Sequence, residues 1–153
     1  ITIDSLKNFV SDSSFESGDI WKNTKWILED TKSSLQIEKN KANVHSENNS
    51  ISYWKDSNFN FKIYQKIDGL ENGTYKLSVW SMGEKGKKSL YLYSNNGSLE
   101  NKTSVIDSGW SKWNKFEINN INVVNGSLEI GIYGNCMSGD WGKIDSFELI
   151  RIK

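Results

Sequence analysis

The chain has 153 residues, with nineteen Lys and Arg against nineteen Asp and Glu, enough for one domain with a core of its own. Balanced charge leaves no basic field for nucleic acid or an anionic membrane, and no apolar run approaches the about 18 residues of a spanning helix. Cys136 and His45 are each the single residue of their type, which excludes an internal disulfide and rests any histidine chemistry on one imidazole.

The sequence opens on Ile1 with no signal-peptide pattern, as expected of a mature or excised module of a longer protein. Pro is absent, so turns fall to Gly, Asn, Asp and Ser. Along the chain these cluster at Gly18-Asp19, Asn48-Asn49, Asp68-Gly69, Asn72-Gly73, Gly83 to Gly86, Asn95-Asn96-Gly97, Asn125-Gly126 and Ser138-Gly139-Asp140. Between them run segments of period two: "KWILED", "SLQIEK", "SISYWK", "FKIYQKI", "TYKLSVWSM", "SLYLYS", "KFEINNINV", "SLEIGIYG" and "IDSFELIRI". No stretch of ten residues carries a helical stripe. The expected fold is all-β, a two-sheet antiparallel β-sandwich of jelly-roll type. No linker or repeat interrupts it, so one domain spans 1–153. The Asn-x-Ser/Thr triplets, such as Asn72-Gly73-Thr74, coincide with the turns and read as turn chemistry.

Parity divides each strand into a core face and a wet face. Tyr75, Leu77 and Val79 point inward, so Trp80 points out beside Lys76 and Ser78. Ile51 and Tyr53 inward leave Trp54 outward. Leu90 and Leu92 inward leave Tyr91 and Tyr93 outward. Leu128, Ile130 and Ile132 inward leave Tyr133 outward, with Asn135 at the same parity. Five aromatics on the wet faces of four strands are expected to share one sheet and build an apolar platform. Rings with polar neighbours suit sugars: a pyranose stacks its C–H face on them while Asn, Glu, Lys or Ser meet its hydroxyls. Trp141, in the loop "SGDWGK", caps the groove or plugs the sandwich end, with the groove favoured. Trp110 and Trp113 flank a strand assigned to the opposite sheet and are read as structural.

Acids are plentiful, but no pair is set apart as general acid and base. No G-x-S-x-G, H-E-x-x-H, P-loop or G-x-G-x-x-G motif occurs. A binding module is therefore expected ahead of a small glycan-acting enzyme.

Three stretches carry a family resemblance: "LKNFVSDSSFESG", "FKIYQKIDGLENGTYKLSVWSMG" and "WNKFEINNINVVNGSLEIGIYGNCMSGDWGKIDSFELI". They resemble bacterial β-sandwich carbohydrate-binding modules, most of all the family 61 modules of arabinogalactan endo-β-1,4-galactanases. Asp12 stands where those modules usually have Asn, and Ser146 where a second Asp often follows Asp145. The resemblance implies non-catalytic binding of β-1,4-galactan on a concave sheet by Trp54, Trp80, Tyr91, Tyr93, Tyr133, Asn135 and Trp141. Another β-glycan and a lectin-like adhesin domain stay open as alternatives. It further implies a linked glycoside hydrolase, a secreted or cell-surface bacterial location, a monomer, and no nucleic-acid or membrane partner. A structural Ca²⁺ is implied as well, on the Glu16 and Asp145 carboxylates with oxygens near Asp12 and Gly18.

Overall fold

A computed structural model describes residues 7–17, 24–86 and 88–153. Among the described residues ten strands occupy Ile27–Glu29 (β1), Leu35–Glu38 (β2), Ser50–Trp54 (β3), Phe59–Ile67 (β4), Gly73–Gly83 (β5), Ser89–Asn95 (β6), Glu100–Ser104 (β7), Gly109–Val123 (β8), Leu128–Cys136 (β9) and Trp141–Arg151 (β10). They form two antiparallel five-stranded sheets, the first in the order β1-β4-β9-β6-β7 and the second β2-β3-β10-β5-β8. This is the expected β-sandwich.

Alternation builds the core. In the first sheet Ile63, Ile132 and Leu92 lie in one register row, all fully buried. In the second, Leu149, Leu77 and Ile118 face them from β10, β5 and β8. Each such side chain contributes about 1.5–3 kcal/mol by leaving water. Phe15, Trp26 and Phe147 close one end of the sandwich with ring centroids 4.9–6.2 Å apart. There Asn8 ties the two chain ends: its Nδ2 donates to the Phe147 carbonyl, and its Oδ1 accepts from the Leu149 N–H.

The strand assigned by sequence to the sheet opposite Trp80 does not lie there: β8 pairs along β5, within the second sheet. The four aromatic-bearing strands do not share a sheet either. β3 and β5 belong to the second, β6 and β9 to the first. Consecutive strands β4, β5 and β6 pass from one sheet to the other and back, so equal parity places residues on two opposite outer faces.

Candidate functional site

The outer face of the second sheet carries Trp54, Trp141 and Trp110 apart from the covered Trp80. Trp141 on β10 is in register with Trp54 on β3, so their Cβ atoms stand about 5 Å apart on one face. Gly83 pairs with Gly109, which gives Trp110 the outward parity of Met82. Trp54 is 52% exposed and Trp110 61%, while Trp141 is half-buried. From β3 to β8 this face spans three strand spacings, about 14 Å.

A hydrogen-bonding row lies beside the Trp54–Trp141 pair. Gln36, Ser52, Lys143 and Met82 follow one another across β2, β3, β10 and β5. Lys143 Nζ donates to Ser52 Oγ at 2.9 Å and pairs with Glu38 Oε1 at 3.3 Å. Partial burial pushes the Glu38 carboxyl up, but the Asn40 N–H, Lys143 and the Asn43 amide outweigh it and hold Glu38 below its ordinary value. The row therefore offers an ammonium, a carboxylate, a hydroxyl and an amide between aromatic rings.

Behind Trp141 the sheet is pinned by a buried ion pair. Lys88 Nζ lies 2.7 Å from Asp107 Oδ2, with side chains 3% and 0% exposed. The same ammonium donates to Tyr53 Oη at 2.6 Å and to the Trp141 carbonyl at 3.1 Å, and Ser81 Oγ donates to Asp107 Oδ1.

Trp80 points outward on this sheet as its parity demands, yet it is not an open platform. His45 stacks on its ring at 4.2 Å and 19°, and Trp113 packs on His45 at 5.4 Å. Burial lowers the His45 pKa, favouring the neutral imidazole. The segment from Lys39 to Asn49 crosses the sheet to bring His45 there.

Tyr91, Tyr93 and Tyr133 occupy the outer face of the first sheet, opposite the indoles. Tyr133 packs against Tyr91 and Tyr93 with centroids 5.4 and 5.5 Å apart. Lys62 lies over Tyr64 and Tyr93, and Lys102 over Tyr91. Tyr93 is 1% exposed and donates to Glu129 Oε2. These rings form a cluster roofed by lysine ammonium groups rather than a bare platform. Asn135 is exposed on this same face, in register with Asn60 and Ser89. Of the seven expected sugar residues, the structure brings Trp54 and Trp141 together on an open face. It adds Trp110, which reads from sequence as structural because its strand is assigned there to the opposite sheet, whereas β8 pairs with β5 in this one.

The acids Glu16 and Asp145 converge below the His45 segment. Asp145, fully buried, accepts from the N–H groups of His45, Ser46 and Ser146 at 2.8–3.0 Å. Glu16 accepts from those of Asn48 and Asn49. Burial pushes the Asp145 carboxyl up to about 7. The three N–H groups oppose that rise, and the nearby Glu16 charge adds to it. Among the described residues neither acid has an ion-pair partner. Two adjoining carboxylates, one buried without a cation, have the donor chemistry of a hard-cation site. Asp12 turns away: its carboxylate accepts from Ser17 and Thr24, and its carbonyl accepts from Phe15 N–H and Trp26 Nε1. Gly18 lies outside the described residues.

No family profile matches the chain, and no curated protein does. Solved structures do. TmCBM61, determined in complex with β-1,4-galactotriose, is 30% identical over 95% of this chain and 99% of its own, with a TM-score of 0.87. The CBM22-1 xylan-binding domain from Paenibacillus barcinonensis Xyn10C shares 12% identity over 96% of each chain, at a TM-score of 0.61. The enzymatically active domain of tailspike protein 4 from bacteriophage CBA120 matches 97% of this chain with 22% of its own, at 16% identity and a TM-score of 0.74. The last two show likeness of fold alone.

Proposed function

Because the chain belongs to family 61 of the carbohydrate-binding modules, we propose that it captures β-1,4-galactan on the tryptophan face of the second sheet and breaks no bond. The observation that carries this reading is the open Trp54, Trp141 and Trp110 array flanking a row of hydrogen-bonding groups. In β-galactose the axial 4-hydroxyl leaves the opposite ring face lined by C–H groups. That face stacks on an indole, and the hydroxyl edge meets Lys143, Glu38 and Ser52. The galactotriose bound by TmCBM61 supports the choice of sugar. A linked glycoside hydrolase in a secreted or surface-attached parent would gain local substrate concentration from this capture. A single such site holds its chain at roughly micromolar to millimolar Kd.

Native affinity electrophoresis against a panel of β-glycans tests the ligand. Galactan is expected to retard the purified chain, with no reducing ends released. Retardation by another glycan and not by galactan overturns the ligand, and reducing-end release overturns the non-catalytic reading.

Ca²⁺ belongs to the same proposal. Glu16 and Asp145 would supply carboxylate oxygens to it, and main-chain carbonyls the remainder of its six to eight ligands. The ion would neutralise two adjoining acids and tie the N-terminal turn to β10. At a hundredfold excess over its Kd such an ion adds about 2.7 kcal/mol, which raises melting by about 5–10 °C in a chain of this size. EDTA is expected to remove that increment, and Glu16→Ala to make melting independent of Ca²⁺. Identical melting of the parent chain in EDTA and in Ca²⁺ contradicts the assignment.

A further inference from the structure

The segment that covers Trp80 has a second contact, on the open part of the same face. Its short 3-10 turn, Lys41–Asn43, is held tightly. Asn40 Oδ1 accepts from the Ala42 N–H, Ser50 Oγ donates to the Asn43 carbonyl, and Lys41 Nζ donates to the Glu47 carbonyl. The Asn43 side chain then reaches two strands. Its Oδ1 accepts from Trp110 Nε1 at 2.9 Å, and its Nδ2 donates to Glu38 Oε1 at 3.1 Å.

Those two strands, β8 and β2, are the opposite edges of the sheet. Four strand spacings, about 19 Å, separate their backbones. Both side chains lean inward and meet at one amide over the middle of the sheet. Beyond Glu38 the line continues through Lys143 to Ser52. The result is a wall across the outer face. Trp54 and Trp141 lie on one side of it, and the covered Trp80 lies on the other.

We propose that Asn43 is a positioning residue of the sugar face, presetting Trp110 and Glu38 for ligand through the two ends of one amide; this rests on the galactan reading of that face. The chemistry leaves no freedom in the amide's orientation. An indole N–H only donates and a carboxylate only accepts, so the reversed amide would set donor against donor and oxygen against oxygen. Asp would keep the acceptor for Trp110 while placing a second negative charge on Glu38. Gln is one methylene too long for the same two contacts.

Trp110 needs such support. Gly109 (φ 115°) precedes it and Ser111 (φ 66°) follows it, so regular strand geometry is broken on both sides. An indole 61% exposed otherwise loses rotamer freedom when a sugar stacks on it. The bond to Asn43 imposes that order before ligand arrives.

The test is a double-mutant cycle on the whole chain, with β-1,4-galactotriose as the calorimetric probe. Asn43→Ala is expected to weaken binding about 3- to 10-fold, with melting within about 3 °C of the parent. In a Trp110→Ala background the same change is expected to cost less than about twofold, because its main target is gone. Asn43→Asp is expected to keep the Trp110 indole N–H protected from solvent exchange, while Asn43→Ala speeds that exchange without ligand present. Unchanged affinity in Asn43→Ala alongside a loss in Trp110→Ala overturns the positioning role alone. Unchanged affinity in Trp110→Ala overturns this role together with the place of Trp110 in the sugar face.

Discussion

Asp107→Ala is expected to cost about 3–5 kcal/mol of folding stability, the penalty for removing one partner of a buried ion pair. Lys88 would keep only Tyr53 Oη and the Trp141 carbonyl in a site where its side chain is 3% exposed, and an ammonium without a counter-charge is unfavourable there. Ser81 Oγ would lose its acceptor as well. Guanidinium unfolding checks this as a lower midpoint at unchanged slope. A loss under about 1 kcal/mol would mean that the pair is wet or dispensable. The effect would extend to the proposed sugar face, because Lys88 donates to the Trp141 carbonyl.

Trp54→Ala and Trp141→Ala are each expected to remove about 1–3 kcal/mol of galactan binding, by analogy with aromatic anchors elsewhere. That is roughly 5- to 150-fold in Kd. For Trp54 the fold should hardly notice, since its ring stands 52% in solvent and lacks the about 3–5 kcal/mol that a core Trp supplies. Trp80→Ala should behave differently: it removes the ring on which His45 stacks, so its first effect is on stability. Calorimetry with galactotriose beside thermal melting separates the two classes. Equal loss of binding from Trp54→Ala and from Tyr133→Ala would contradict the assignment of the site to one face.

Much of the fold was legible in the sequence because burial imposes period two. Tyr75, Leu77 and Val79 alternate with Lys76, Ser78 and Trp80, and the first three are fully buried. The Asn-Gly pairs marked turns, as at Gly126 (φ 73°). The strand β7, "ENKTS", was not legible. It is a sheet edge with no buried residue, so no hydrophobic pattern was required of it.

Less of the site was legible. Parity tells which side of a strand faces the core, and a sandwich has two sides that do not. Trp54 and Tyr133 have the same signature in sequence and lie on opposite surfaces, since only strand pairing distinguishes them. His45 covers Trp80 from 35 positions away, along a segment whose path depends on Asp145 and Glu16 rather than on any local pattern. Trp110 reads as structural because nothing local in the sequence says that β8 pairs with β5. The acids Glu16 and Asp145 were found through family resemblance, and the structure brings them together.

The most direct measurement is an NMR titration of the chain with β-1,4-galactotriose, following the indole and backbone N–H resonances. The galactan account predicts saturable shifts at the Trp54, Trp110 and Trp141 indoles and along Ser52 and Lys143, with the β6 and β9 amides around Tyr91, Tyr133 and Asn135 still. Shifts confined to β6 and β9, or no shift at millimolar sugar, would contradict it.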